Sequence, residues 1–234
     1  MQSPIDWLPE QGAPQQLILL LHGYGADGRS MAPLAQALRG HFAHAALVAA
    51  DAPSLVADDA TARCWYDTAG LTPDNWADRV EAALPPLRDW IRLQQQRLGV
   101  GPAATALAGF SQGAVLALAL ALQPDNDGLV GRVLAFNGAL ASPPLAAPRQ
   151  TTVHLFHGDG DTVIPPEGSR QALRLLGALQ GDATLDIAAG VGHDLHPALI
   201  DSALQRLQTH IPLRTWQAAL GSVPAVGPDG ALPS

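Results

Sequence analysis

The sequence contains no lysine: all 13 of its basic residues are arginines, against 21 acidic residues, which gives a formal net charge of −8. Without lysine the chain cannot form a Schiff base through a lysine amine or build a lysine-dependent phosphate loop. It also has no basic run and no arginine cluster interleaved with aromatics, the pattern that neutralises phosphates. We therefore expect neither lysine chemistry nor a nucleic-acid partner.

Cysteine is nearly absent as well, since Cys64 is the only one. This excludes an intrachain disulfide and fits a reducing compartment. Residues 1–12 have neither a basic n-region nor an apolar h-region, so we expect no signal peptide. The longest apolar stretch, residues 103–122, is interrupted by Ser111-Gln112-Gly113. It predicts a buried strand, a turn and a helix and not an integral membrane segment.

What the sequence does have is a regular alternation of strand and helix patterns. Residues 17–21 are five consecutive apolar residues, typical of a strand buried on both faces of a parallel sheet. Strands are predicted at residues 15–21, 45–50, 103–108, 132–136, 152–156 and 184–188, and helices at residues 30–39, 74–98, 112–122, 165–179 and 197–210. This order predicts an α/β fold: a single doubly wound, mostly parallel sheet with helices on both faces.

Some boundaries and connections carry separate predictions. Ser30 is expected to cap the first helix. Pro85-Pro86 is expected to kink or split the helix at residues 74–98. Residues 54–73 have no clear period and predict a long connection, often a functional feature. Residues 1–214 form the predicted domain, and residues 215–234, rich in Gly, Pro and Ala after a short helix, form a C-terminal tail.

The strongest chemical signal is Gly109-Phe110-Ser111-Gln112-Gly113, a G-x-S-x-G pattern. A buried strand ends just before it and a helix begins just after it, which is the setting of a nucleophile elbow. Small residues on both sides let the backbone turn sharply and expose the serine hydroxyl. We therefore predict Ser111 as a nucleophile; an exposed serine in an ordinary turn is the alternative.

A serine hydroxyl needs a base, and the base needs an orienting acid. After such an elbow the partners follow in the order Ser, Asp, His. Two loops past the next predicted strands offer them, and we predict Asp161 as the acid and His193 as the base, with Asp159 as the competing acid. His196, just before a proline, is expected to cap a helix or lie at the surface.

An ester transition state also places negative charge on the former carbonyl oxygen, which backbone N–H groups must stabilise. The residue after the nucleophile, Gln112, is predicted to provide one N–H. The loop at residues 22–25 is predicted to provide another from Tyr24, because its glycines let the backbone turn inward. His22 and His157, which open glycine loops, are expected to serve as scaffolding through hydrogen bonds to backbone.

Trp65 and Tyr66 lie in the long connection and leave two readings open. They border a substrate groove or they anchor the core. Both are retained here as candidate substrate-binding residues. His154 and His157 are three apart at a strand end and would point to opposite faces, so we predict no metal site.

Taken together, these motifs resemble those of the phospholipase/carboxylesterase family of small α/β-hydrolases, which includes the acyl-protein thioesterases. The resemblance is closest to the bacterial esterases of this family. The resemblance runs over residues 17–211 and includes, besides the loops above, Trp65-Tyr66-Asp67 and Pro165. It implies the α/β-hydrolase fold, a triad of Ser111, Asp161 and His193, an acyl-enzyme intermediate, no cofactor and a cytoplasmic location. Ala114 stands where the thioesterases usually carry a second glycine, and residues 142–148 differ from theirs, so thioesterase activity is not carried over.

The leading hypothesis is a serine carboxylesterase that hydrolyses small or medium-chain carboxylic esters, with a small-molecule acyl ester as its partner. A thioesterase or lysophospholipase with the same triad is the second hypothesis. A non-catalytic binding protein of the same fold is the third. The sequence leaves the oligomeric state open, with a homodimer among the alternatives.

Overall fold

The computed structural model describes residues 4–56 and 59–221. Within them the strands are β1 (Ile5–Trp7), β2 (Gln16–Leu21), β3 (Ala45–Ala50), β4 (Ser54–Val56), β5 (Asp59–Cys64), β6 (Thr105–Phe110), β7 (Arg132–Phe136), β8 (Thr152–Gly158) and β9 (Ala183–Ala188). The α-helices of the same residues are α1 (Ala32–His41), α2 (Pro73–Leu98), α3 (Gln112–Ala121), α4 (Glu167–Ala178), α5 (Pro197–Thr209) and α6 (Leu213–Gly221). None of these helices has the length and apolar character needed to cross a bilayer.

The main sheet has seven strands in the order β1-β3-β2-β6-β7-β8-β9. Only β1 runs antiparallel to its neighbour; the other neighbouring strands pair in parallel. The carboxyl ends of β6, β8 and β9 therefore point to one edge, where an open α/β sheet places its site.

Both faces of the sheet are covered, and β2 illustrates why its run of apolar residues is needed. Leu17, Leu19 and Leu21 face a core shared with α2, α3 and α4. Ile18 and Leu20 face a second core shared with α1 and α5. Alternate side chains of one strand thus enter opposite cores. The predicted α/β fold, with a mostly parallel sheet and helices on both faces, is confirmed.

The proline pair inside α2 does not split the helix, so that alternative of the prediction was wrong. The assigned helix is continuous over 26 residues. Pro85 and Pro86 are exposed while Leu84 and Leu87 are buried. The two missing N–H groups therefore lie on the solvent side, where water can bind the carbonyls they leave free, and the buried side holds the helix together.

The start of α1 also differs from the prediction. A short 3-10 turn over Gly28–Met31 precedes α1, and Asp27 caps it by accepting a hydrogen bond from the Arg29 N–H at 2.9 Å. Ser30 lies inside this turn and donates its hydroxyl to the Asp27 carbonyl, so it is not the cap. An aspartate three residues earlier satisfies the free N–H groups first.

The long connection predicted at residues 54–73 contains a two-stranded hairpin, β4–β5, that the sequence pattern did not indicate. The hairpin reaches the loop after β2: the Gly25 N–H donates to the Arg63 carbonyl at 2.8 Å, and Ala26 bridges Arg63. It therefore supports the loop at residues 22–25. Strand β1 was also missed, because three residues are too short for a periodic pattern.

Helix α6 begins just before the predicted domain boundary at residue 214 and continues to Gly221. The rest of the predicted tail, residues 222–234, lies outside the described residues. The division into residues 1–214 and 215–234 stays a prediction.

Candidate active site

Ser111 occupies a strained turn between β6 and α3. Its φ is 53° and its ψ is −117°, a conformation that costs a non-glycine residue about 1–3 kcal/mol. A methyl group on Gly109 would collide with the Gly113 backbone, and one on Gly113 would collide with the Leu21 carbonyl. Glycine is therefore required at both positions for steric reasons, as the elbow pattern predicted. The Ser111 N–H donates to the Phe136 carbonyl at 2.9 Å, which ties the turn to β7.

The structure brings the three predicted catalytic side chains together. His193 Nε2 lies 2.8 Å from Ser111 Oγ, and His193 Nδ1 lies 2.7 Å from Asp161 Oδ2. A carboxylate only accepts, so the proton of the neutral imidazole resides on Nδ1 and Nε2 is free to accept from the serine hydroxyl. The result is a continuous chain of hydrogen bonds from Asp161 through His193 to Ser111.

The two competing candidates occupy other positions. Asp159 Oδ1 accepts from the Gly190 N–H at 2.6 Å. This bond links the loop after β8, which carries Asp161 and is called the acid loop, to the loop after β9, which carries His193 and is called the base loop. His196 precedes α5, where its Nδ1 accepts from the Ala198 N–H at 3.2 Å. Neither side chain takes part in the chain of hydrogen bonds to Ser111.

The Asp161 carboxylate is surrounded by donors. Its Oδ1 accepts from the Val163 and Ile164 N–H groups at 2.9 Å, and its Oδ2 accepts from Asn137 Nδ2 at 2.7 Å as well as from His193. Burial alone would raise the pKa of Asp161, but the hydrogen bonds from His193, Asn137 and the two backbone N–H groups hold this pKa below its usual range. The acid is therefore anionic at neutral pH.

His22 and His157 are buried scaffolding, as predicted. His22 donates from Nδ1 to the Gly23 carbonyl at 2.7 Å and accepts at Nε2 from the Ala52 N–H at 3.0 Å. His157 Nε2 donates to the Ile164 carbonyl at 2.8 Å, and its Nδ1 lies 2.7 Å from Ser169 Oγ. Burial lowers the pKa of both imidazoles, so they are neutral.

One predicted oxyanion donor, Gln112, directly follows Ser111, and the other, Tyr24, directly follows Gly23, which lies against the Ser111 side chain. The Gln112 N–H is the first of α3, and the Tyr24 N–H belongs to the loop held by the β4–β5 hairpin. Within residues 4–56 and 59–221 neither N–H has a hydrogen-bond acceptor. First-turn N–H groups of a helix have no partner inside the helix, so the Gln112 N–H is available to a bound anion.

Trp65 and Tyr66 are only 4% and 8% exposed, which favours the core-anchor reading over the groove reading. The Trp65 N–H donates to Gln112 Oε1 at 2.8 Å, and Gln112 Nε2 donates to the Tyr66 carbonyl at 2.8 Å. The Trp65 indole donates to the His22 carbonyl at 2.8 Å. Trp65 and Tyr66 therefore hold in place the start of α3 and the loop at residues 22–25, the two segments that carry the predicted oxyanion donors. Tyr24 is the better exposed aromatic here, at 47%.

Two residues of the site were missed from the sequence. Asn137 follows β7 as Ser111 follows β6, and a polar residue directly after a buried strand was the available signal. Phe110 packs its ring against His193, with centroids 5.0 Å apart and a tilt of 42°. No sequence pattern marks that contact. Among the described residues no group of three or more His, Cys, Asp or Glu side chains could hold a metal ion.

Comparison with known proteins gives the same picture. The phospholipase/carboxylesterase family model matches residues 8–211. Esterase YpfH of Escherichia coli K12 is 38% identical over 207 residues, 88% of each protein. Acyl-protein thioesterase 1 of Saccharomyces cerevisiae is 28% identical over 166 residues, 64% of this chain and 72% of that protein.

Solved structures agree with the sequence relatives. Esterase PE8 superposes with a TM-score of 0.79 at 34% identity, covering 88% of this chain and 97% of that one. The Bacillus cereus carboxylesterase superposes with a TM-score of 0.73 at 15% identity, covering 88% and 92%, and so shares the fold. With the family model matched over most of its length, the chain is a hydrolase of the α/β-hydrolase fold and belongs to the phospholipase/carboxylesterase family.

Proposed function

We propose that this chain is a serine carboxylesterase that hydrolyses small or medium-chain carboxylic esters through an acyl-enzyme on Ser111. The observation that carries the proposal is the hydrogen-bonded series Asp161–His193–Ser111, with the serine held in a strained elbow. An esterase relative at 38% identity supports the same reaction class.

In the first half-reaction, Ser111 Oγ attacks the ester carbonyl carbon while His193 Nε2 takes the hydroxyl proton. Asp161 holds the imidazole in the correct tautomer and stabilises its positive charge. The carbonyl oxygen becomes negative and accepts hydrogen bonds from the Gln112 and Tyr24 N–H groups, each worth about 3–4 kcal/mol of barrier in comparable sites. The tetrahedral intermediate collapses, and the alkoxide leaves as the alcohol with the proton from His193.

In the second half-reaction, water attacks the acyl-enzyme carbonyl and gives a proton to His193. The second tetrahedral intermediate breaks its bond to Ser111 Oγ, which recovers the proton, and the carboxylic acid is released. The net reaction is ester plus water to acid plus alcohol. These steps use only side chains and backbone groups of this chain, without a cofactor.

The proposed preference for small or medium acyl chains rests on the connection between β7 and β8. Residues 137–151, which connect β7 to β8, form no helix, so this connection provides no helical lid for a long acyl chain. The proposed partner is accordingly a small-molecule ester. We also propose a cytoplasmic location, because the single cysteine, Cys64, is buried and free and fits a reducing compartment; cell fractionation tests it.

The first prediction is that Ser111→Ala lowers kcat for p-nitrophenyl butyrate by roughly 10⁴-fold or more, because no other group can form the acyl-enzyme. Thermal unfolding of the variant is the control for folding. A fluorophosphonate probe should label the wild-type protein and not the variant. Full turnover in a cleanly purified variant would contradict the assignment, and an unlabelled, inactive wild-type protein would favour a non-catalytic binding protein.

A thioesterase or lysophospholipase is the second candidate, favoured by relatives named acyl-protein thioesterase 1 at 28% and 31% identity. Values of kcat/KM for short aryl esters and for long-chain acyl thioesters separate the two functions. We expect the aryl esters to give the larger value. The reverse order would shift the assignment to the thioesterase, with the same serine.

A further inference from the structure

Asn137 is the first residue after β7 and is fully buried. Its backbone has a positive φ of 50°, a left-handed conformation that asparagine tolerates better than most residues. Its N–H donates to the Phe156 carbonyl at 2.8 Å, which fixes this backbone between β7 and β8. The side chain therefore starts from a rigid point beside the site.

The amide group of Asn137 connects the acid to the base loop. Its Nδ2 donates to Asp161 Oδ2 at 2.7 Å and to the carbonyl of Gly192 at 3.1 Å. Asp161 Oδ2 is the same oxygen that accepts from His193, and Gly192 directly precedes His193 in the chain. One NH₂ group thus sets the separation between the acid and the backbone that carries the base.

The other neighbour of this oxygen does not perform the same task. His157 Nε2 lies 3.2 Å from Asp161 Oδ2, but its shorter bond, at 2.8 Å, is to the Ile164 carbonyl of the acid loop. Both contacts of His157 Nε2 are therefore with the acid loop, and neither reaches the base loop. The Asn137 side chain instead reaches across from the acid to the base loop.

The orientation of the amide is fixed by the groups that face it. Reversing it would point Asn137 Oδ1 at two groups that only accept, the Asp161 carboxylate and the Gly192 carbonyl. In the observed orientation Oδ1 is buried, and no described residue donates to it. Glycine would satisfy the positive φ without burying an amide, so backbone conformation alone does not account for an asparagine here.

We propose that Asn137 is a positioning residue for the reaction: its NH₂ group holds Asp161 Oδ2 and the His193 loop in the alignment that proton transfer from Ser111 requires. The inference rests on the proposed function. Asn137 touches no reacting atom and acts through Asp161. Loss of its amide leaves the acid held by the Val163 and Ile164 N–H groups at its other oxygen, so the fold survives while the alignment of Oδ2 loosens.

The test is Asn137→Gly, which keeps the left-handed backbone and removes the amide. We expect kcat for p-nitrophenyl butyrate to fall by about 10-fold to 100-fold with KM within about 3-fold, because small misplacements of catalytic groups reduce the chemical step. Gln180→Gly is the matched control. Gln180 also has a positive φ, of 58°, but lies at the end of α4, and its variant should keep wild-type kcat.

A double-mutant cycle with Asp161→Asn separates a positioning role from a general structural one. If Asn137 acts through Asp161, adding N137G to D161N lowers kcat by less than about 3-fold, since coupled residues show non-additive losses. Thermal unfolding accompanies every variant. Should N137G be unfolded at the assay temperature, Asn137→Ser, which keeps one short donor, takes its place with the same expected coupling.

Two outcomes would overturn the inference. One is an N137G enzyme that is folded at the assay temperature and has at least half the wild-type kcat. The other is a full multiplicative loss in the D161N background, which would make Asn137 independent of the acid. In both cases an inactive S111A enzyme would leave the proposed function intact, whereas an active S111A enzyme would remove the proposed function itself.

Discussion

The side chain of Gln112 has a task that is separate from its backbone N–H. Its amide oxygen accepts from the Trp65 N–H, and its amide nitrogen donates to the Tyr66 carbonyl, both at 2.8 Å and both buried. These bonds attach the first residue of α3 to the segment after the β4–β5 hairpin. At the scale of single residues, one glutamine thus fixes where the proposed oxyanion donor sits.

We predict that Gln112→Glu destabilises the protein by roughly 2–4 kcal/mol at neutral pH, because a carboxylate cannot donate to the Tyr66 carbonyl and would be buried without its full set of donors. Urea unfolding followed by circular dichroism measures the change. Gln96→Glu, at an exposed position of α2, is the matched control and should change stability by less than about 0.5 kcal/mol. Equal stability of the two variants would contradict the prediction.

At the scale of elements, the amino ends of β7, β8 and β9 are linked by side chains. Arg132 Nη1 donates to His154 Nε2 at 3.0 Å, and His154 Nδ1 donates to Thr184 Oγ1 at 2.8 Å. Burial first, and the nearby Arg132 second, lower the pKa of His154 to about 3. The imidazole is neutral in the folded protein and can accept from the arginine for that reason.

This arrangement predicts acid sensitivity. The unfolded chain binds a proton at His154 near pH 6.5, whereas the folded protein does so only near pH 3. Between these values the unfolded state binds more protons, so stability is full above pH 6.5 and is lost as the pH falls. From pH 6.5 to pH 5 the loss from His154 is about 2 kcal/mol.

Urea unfolding of the wild-type protein and of His154→Gln at several pH values tests this. Glutamine can still donate and accept, but it does not titrate. The difference between the two proteins should therefore shrink as the pH falls, with a slope of about 1.4 kcal/mol per pH unit. Parallel stability curves for the two proteins would contradict the assigned role of His154.

At the scale of the whole molecule, the three proposed catalytic side chains come from the ends of β6, β8 and β9. Distances near 2.8 Å between them depend on the full central part of the sheet, with strands separated widely in sequence. We predict that esterase activity and circular dichroism are lost at the same urea concentration, within about 0.3 M, because a single domain of this kind unfolds cooperatively. Activity lost clearly before the circular dichroism signal would indicate a site that opens independently of the sheet.

The sequence predicted the central strands, the elbow and the order of the acid and base, because each depends on a local pattern. Ser111 and Asp161 follow the buried strands β6 and β8, His193 follows the half-buried strand β9, and parallel strands bring their carboxyl ends together. The support around these residues was not predictable in the same way. Gln112 and Trp65 are 47 residues apart, and the Asn137 amide meets Gly192 from 55 residues away. No local pattern specifies such pairs.

The contact between Gly113 and the carbonyls of Leu21 and His22 has a consequence for redesign. The start of α3 rests directly on the end of β2, from which the Tyr24 loop emerges, so the two proposed oxyanion donors share one rigid support. A mutagenesis library aimed at new substrates should leave position 113 unchanged, because any side chain there would push the Gln112 N–H away from the Tyr24 N–H. The productive position is Tyr24, whose side chain is 47% exposed and can vary while its backbone N–H and the catalytic alignment are inherited unchanged.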